Sequence, residues 1–240
     1  MTHLVVGYPS LEDNWRMLEL MDGAGVDLVE LQMPFSEPVA DGPTFVRANQ
    51  EALARGMTRA GYFDFMARAA ARFGFPHLMM GYYNTVFRMG HGEFCRRLRG
   101  SGGRGFILPD LPWEEYGDLF DLSREQDLDP ILLMTPTNLE SHLAHLGSRA
   151  RGFVYAVARR GVTGRHTQVE GETRAFVERC RSATPLPLAL GFGLRRADDL
   201  RQLQGLVEVA IVGSALLEEW ERGGAPGYGR LLQELAEARS

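Results

Sequence analysis

The chain has 240 residues, 45% of them hydrophobic and 24% charged, with a formal net charge of −5. That length suits one large α/β domain or two small ones, and the acidic balance argues against a protein that works through a basic face on nucleic acid. Lysine is absent, so all 26 basic residues are arginine. Schiff-base aldol chemistry, a pyridoxal-phosphate internal aldimine and a Walker-type phosphate lysine are thereby excluded, because each needs a primary amine. No run of about 18 apolar residues offers a membrane span, and Met1-Thr2-His3 leads straight into an apolar run rather than a signal peptide. Cys95 and Cys180 fall far apart in helical patterns, as expected of reduced thiols in a cytoplasmic protein.

In chain order, strand-like apolar runs are expected at Leu4–Val6, Val26–Leu31, His77–Met80, Gly105–Leu108, Pro130–Leu133, Gly152–Val157, Pro187–Leu190 and Val207–Val212. Helical patterns separate them: Glu12–Gly23, Phe45–Gly56, Gly92–Gly100, Trp113–Gln126, Leu139–Gly147, Gly171–Ser182 and Arg196–Leu203. An extra helix is expected over Met57–Phe73, before the third strand. A final helix, Tyr228–Ala238, follows the turn-forming stretch Arg222–Gly227. Strands joined through helices are parallel. Their apolar runs lack strict alternation, as in strands covered on both faces. Eight such units in this length predict an α/β fold of one closed (β/α)8 TIM barrel spanning residues 1–240, with its site on the loops that follow the strands.

Two carboxylates stand out on those loops. Glu30 ends the second apolar run, where partial desolvation would favour its acid form. Asp41 sits in Ala-Asp-Gly-Pro on the next loop. An acid at a strand mouth beside a loop carboxylate suits proton transfer. The local pattern leaves structural readings open: a strand-end Glu30 meeting an arginine or a helix end, and an Asp41 that serves a turn or caps the next helix. Asp110, between prolines after the fourth strand, is a third candidate with the same turn reading. Gly161–Gly164, Gly191–Gly193 and Gly213-Ser214 follow late strands, where glycine lets backbone N–H groups approach an anion closely. Together they point to a phosphorylated small molecule. Arg159, Arg160 and Arg165 could add positive potential, although a solvated loop accounts for the last two. Tyr82, Tyr83 and Tyr155 could line a pocket or belong to the core. The scattered histidines suggest no metal site.

The stretch Val29–Thr44 (VELQMPFSEPVADGPT), with MGYYNTVF (80–87), LPDLP (108–112), ARRGVTG (158–164), GFGL (191–194) and VGSAL (212–216), resembles the tryptophan synthase alpha chain family over nearly the whole sequence. The resemblance implies cleavage of indole-3-glycerol phosphate to indole and glyceraldehyde 3-phosphate in the cytoplasm, with no cofactor. The family's partner is a beta subunit that consumes the indole. The family's catalytic glutamate and aspartate fall on Glu30 and Asp41. Its substrate-binding positions fall on Tyr82, Asp110, Tyr155, Gly164, Gly193, Gly213 and Ser214, and its sixth-loop threonine on Thr163. The barrel is expected without the helix that usually precedes strand one. Other departures are Glu37, where the family has aspartate on the surface facing the beta subunit, and Ala158 and Arg160, where small hydroxyl residues are common.

The chemistry agrees with the residues. Splitting the bond between indole C3 and the glycerol chain needs a proton on C3 and loss of one from the chain hydroxyl. The ring itself is the electron sink, so neither lysine nor metal is required. Alternatives from other classes are a stand-alone lyase of a specialised pathway, a different phosphate-binding barrel enzyme, and a non-catalytic allosteric subunit.

Overall fold

The structure is a computed structural model. It describes residues 1–157, 166–191 and 193–239, with nothing said of the side chains of residues 166–170. Parallel strands alternate with helices. The strands are β1 (Thr2–Val5), β2 (Val29–Gln32), β3 (His77–Met80), β4 (Gly103–Ile107), β5 (in two segments, Asp129–Pro130 and Leu132–Met134), β6 (Val154–Ala156), β7 (Leu188–Gly191) and β8 (Val209–Ile211). Each pairs with the next in parallel. A parallel bridge between Thr2 and Val212 closes the ring. The eight-stranded TIM barrel anticipated from the alternation is the observed fold.

Ten helices are described: α1 (Leu11–Gly23), α2 (Pro43–Ala54), α3 (Arg59–Arg72), α4 (Tyr83–Met89), α5 (His91–Gly100), α6 (Leu119–Glu125), α7 (Glu140–Arg149), α8 (His166–Ala183), α9 (Ala197–Arg201) and α10 (Ser214–Glu237). Two apolar assemblies hold them. Between strands and helices, residues such as Leu4, Leu31, Met66, Val86, Phe106 and Leu216 form the outer core. Inside the barrel, Met1, Leu78, Met80, Ile107, Ile131, Phe153 and Ile211 fill the centre. Each fully buried large apolar side chain contributes roughly 1.5–3 kcal/mol. Two-residue periodicity sends alternate strand residues to these two assemblies, which puts Glu30 of β2 on the inner side beside Leu78.

The local chemistry explains several boundaries. The Ser10 hydroxyl accepts the Asp13 N–H at 3.0 Å, capping α1 as a short hydroxyl side chain does at a helix start. Asn14, buried in α1, accepts from Gly7 N at 2.6 Å and donates to Tyr8 O at 2.7 Å. It thereby ties the turn after β1, where the site opens, to its helix.

Several expected bounds need correction. The fifth strand is interrupted at Ile131: its first segment pairs with β4 and its second with β6. Pro130 contributes no N–H there, which fits a break. The segment after β3, where the sequence suggests no helix, forms the short helix α4, which begins at Tyr83. The helix expected over Trp113–Gln126 is a single 3-10 turn, Trp113–Glu115, followed by α6. The last helix is longer than expected and starts at Ser214. It is kinked at Gly224 (φ 57°) before Pro226, where the proline cannot supply an N–H.

Candidate active site

Four of the sequence candidates converge at one end of the barrel interior. Glu30 is not at the strand end: β2 continues to Gln32, so Glu30 lies within the barrel and is only 2% exposed. Desolvation is complete rather than partial. Burial, reinforced by the Asp41 charge and opposed by the chain's amino group, pushes the Glu30 carboxyl up to about 8. At neutral pH it is therefore mainly a carboxylic acid.

Asp41 does not cap α2, whose N-cap is Gly42. Its carboxylate turns inward. It accepts Gln32 Nε2 at 2.6 Å and Asn49 Nδ2 at 3.3 Å. Burial raises its pKa above the usual aspartate value, and His3 together with hydrogen bonds from Gln32, Tyr82 and Asn49 opposes that rise. Asn49 is itself oriented by the backbone: it donates to Phe45 O at 2.8 Å and accepts Phe35 N at 2.9 Å. This arrangement gives one buried acid and one hydrogen-bonded carboxylate, a separation of roles created by environment.

Aromatic rings wall the site. Tyr82 is buried and stacks on Phe35 at 5.2 Å, and its hydroxyl accepts Ala40 N at 3.2 Å. The second contact fixes the loop that carries Asp41. Burial holds the Tyr155 hydroxyl above its ordinary pKa, with smaller contributions from Glu30 and Asp41, so this ring faces both carboxylates. Gly191 on β7 makes room for it, since a Cβ there would overlap the Tyr155 hydroxyl.

Asp110 is engaged differently. It is exposed, and its carboxylate accepts Tyr83 N at 2.9 and 3.1 Å through its two oxygens. It therefore satisfies the first turn of α4, a helix remote in sequence, rather than only the local turn considered from the sequence. Burial still lifts its pKa, and the Tyr83 N–H opposes this.

Gly213 is the N-cap of α10 and Ser214 its first residue. The amides of a first helical turn have no intrahelical partner and suit an anion. This helix start packs against Phe45 and His3: a Cβ at Gly213 would stand 3.0 Å from Phe45 Cζ and 3.4 Å from His3 Cβ. Gly193, with φ +59°, follows β7. Thr163 and Gly164, with Gly161, Ala158, Arg159, Arg160 and Arg165, lie outside the described residues.

Sequence reading missed His3, Gln32 and Asn49. His3 is the register partner of Glu30 across β1 and β2, and its Nε2 lies 2.8 Å from Gln32 Oε1. Gln32 is two residues beyond Glu30, hence on the same face. A polar residue at that spacing was the signal available.

Comparison with known proteins agrees with this architecture. The family model described as "Tryptophan synthase alpha chain" matches residues 1–237. A protein of that name from Desulforapulum autotrophicum is 44% identical over 236 residues, covering 98% of this chain and 93% of the relative. Another, from Syntrophotalea carbinolica, is 40% identical over 235 residues, covering 98% and 93% respectively. A solved structure of tryptophan synthase from M. tuberculosis superposes with a TM-score of 0.90 at 31% identity, covering 99% of this chain and 91% of that one. The tryptophan synthase alpha subunit from Legionella pneumophila also gives 0.90, at 26% identity, covering 99% and 90%.

Proposed function

Because the chain belongs to the tryptophan synthase alpha chain family, we propose that Glu30 and Asp41 carry out cleavage of indole-3-glycerol phosphate to indole and glyceraldehyde 3-phosphate. The observation that carries this reading is the buried Glu30 carboxyl, held as an acid near neutral pH by its surroundings and by the neighbouring Asp41 charge.

Glu30 donates its proton to indole C3. That makes the ring an electron sink, and the bond from C3 to the hydroxyl-bearing chain carbon breaks with its electron pair returning to the ring. The chain hydroxyl becomes the aldehyde of glyceraldehyde 3-phosphate, and its proton passes to Glu30, which ends as it began. Asp41 accepts the indole N–H and stabilises the positive charge that builds on the protonated ring. Its orientation by Gln32 and Asn49 supports that role, because a fixed carboxylate needs no reorganisation when charge develops. Tyr82 and Tyr155 flank the indole. The Gly213-Ser214 helix start, with Gly193, receives the phosphate; Thr163 and Gly164 complete the substrate contacts on the sixth loop. Asp110 acts by holding Tyr83 and the end of β3 in place.

The beta subunit implied by the family would cover the barrel mouth. Val39, Phe87 and Leu139 are large apolar residues, 79, 65 and 74% exposed, in segments that follow β2, β3 and β5, which supports a protein partner there. Among the described residues no helix is long and apolar enough to cross a membrane. The buried free thiols Cys95 and Cys180 suit a reducing cytoplasm. The test is indole release from indole-3-glycerol phosphate by the purified chain. Glu30→Gln should lower the rate by about 10²–10⁴-fold, the usual contribution of general acid–base catalysis, and near-normal turnover by that variant would rule out Glu30 as the acid.

A further inference from the structure

One polar chain connects the two carboxylates, and its donors and acceptors have a forced order. Asp41 accepts Gln32 Nε2 at 2.6 Å. An amide nitrogen only donates and an ionised carboxylate only accepts, so the Gln32 oxygen must face the other way, toward His3 Nε2 at 2.8 Å. That imidazole nitrogen therefore carries a hydrogen. In a neutral ring the remaining nitrogen, Nδ1, is then a bare acceptor. It faces Glu30 Oε2 at 3.5 Å. That separation is longer than a formed hydrogen bond, and Glu30 Oε2 is buried with no other partner among the described residues, so His3 Nδ1 is the acceptor a proton on Oε2 reaches when the two groups close by a few tenths of an ångström.

The imidazole has little freedom to do otherwise. It is buried, stacked on Phe45 with ring centroids 4.3 Å apart, and backed by Gly213. The titratable groups that face the pair are the Met1 amine just before β1, Asp41 on the loop after β2, Tyr62 on α3 and Tyr155 on β6. Of these only Asp41 reaches the imidazole through a hydrogen-bonded bridge.

We infer that His3 is a positioning residue for the reaction: its Nδ1 lone pair holds the acidic proton of Glu30 on Oε2, and Gln32 ties that arrangement to the ionised Asp41. The inference rests on the reading of Glu30 as the proton donor. It adds a reason why one carboxyl can both give and retake a proton. Once Glu30 has protonated the indole carbon, its carboxylate faces a lone pair instead of a donor. That state is disfavoured, so Glu30 recaptures a proton from the chain hydroxyl. His3 itself gains and loses no proton over the cycle.

The test has two arms on the full chain. In the first, ¹⁵N-histidine-labelled protein is examined by NMR near neutral pH, with no substrate. The His3 ring is expected as the neutral Nε2–H tautomer, and Gln32→Met should abolish that preference. An Nδ1–H tautomer or an imidazolium in the wild-type protein would overturn the inference. In the second arm the pH profile of kcat/KM for indole release is compared in wild type, His3→Phe and Gln32→Met. Phenylalanine keeps the stack on Phe45 and removes both nitrogens. The basic limb, which reports loss of the Glu30 proton, should move about one pH unit lower in His3→Phe, the tenfold change in dissociation constant that one neutral hydrogen bond can sustain. KM should stay within about twofold, because the substrate-contacting groups are untouched. Gln32→Met should shift the limb the same way, which keeps the test open if His3→Phe folds poorly. An unmoved limb in both variants would overturn the inference. Failure of the wild-type chain to release indole at any pH would instead refute the lyase reading, and the tautomer measurement would still decide the placement of His3.

Discussion

Replacing Glu30 by glutamine should make the protein more stable as well as less active, and more so the higher the pH. The native carboxyl has its pKa raised from an ordinary value of 4.5 to about 8. Between those two values the folded protein holds a proton that the unfolded chain has released. Stability therefore falls as pH rises through that window, with a limiting slope of about 1.4 kcal/mol per pH unit. Glutamine has the shape of the protonated acid and does not titrate. The variant should match wild type near the low end of the window and exceed it by a few kcal/mol at the high end. His3 and His77 have lowered pKa values from burial. Their contribution has the opposite sign, being present above about 6.5 and lost as pH falls, but it occurs in both proteins and cancels to first order in the difference. Urea unfolding of the two proteins in steps from about pH 5 to about pH 8 reads that difference directly. A gap that is constant across the range would refute the claim that Glu30 is buried as an acid.

Asp41→Asn should lower kcat/KM for indole release by about 10²–10³-fold, as expected for loss of one preorganised electrostatic group. It should also move the basic limb of the pH profile downward, because the Asp41 charge helps raise the Glu30 pKa; steady-state assays across pH check both effects. Gly191→Ala would force the Tyr155 hydroxyl aside. It should raise KM for the indole substrate and destabilise the fold by about 1–3 kcal/mol, the usual cost of overpacking, and an unchanged KM would show that Tyr155 does not line the pocket. Gly147→Ala would press a methyl into the Ala183 carbonyl where α7 meets α8. Far from the carboxylates, it should cost about 1–3 kcal/mol in urea unfolding and leave KM unchanged.

Apolar runs and helical spacing made the barrel legible, because parallel strands covered on both faces carry their burial in the sequence itself. The errors occur where local chemistry is weak. Nothing in Gly81–Phe87 announces a helix, since α4 is started by the carboxylate of Asp110, which is remote in sequence. The break at Ile131 reflects a strand that changes partners, a property of the closed ring rather than of the segment. In the site, motif and position together singled out Glu30 and Asp41. Their surroundings were hidden because His3 and Gln32 acquire meaning only through the register of β1 against β2. The local turn reading of Asp110 did not anticipate its contact with the Tyr83 N–H, which only the tertiary fold brings near.

The most direct test of the central claim is indole formation from indole-3-glycerol phosphate by the purified chain, followed beside Glu30→Gln and Asp41→Asn. Indole and glyceraldehyde 3-phosphate should appear in equal amounts with the wild-type protein, and both variants should be slowed by orders of magnitude. Absence of indole from the folded wild-type chain, with or without a beta subunit, would contradict the assignment, as would undiminished release by the Glu30 variant.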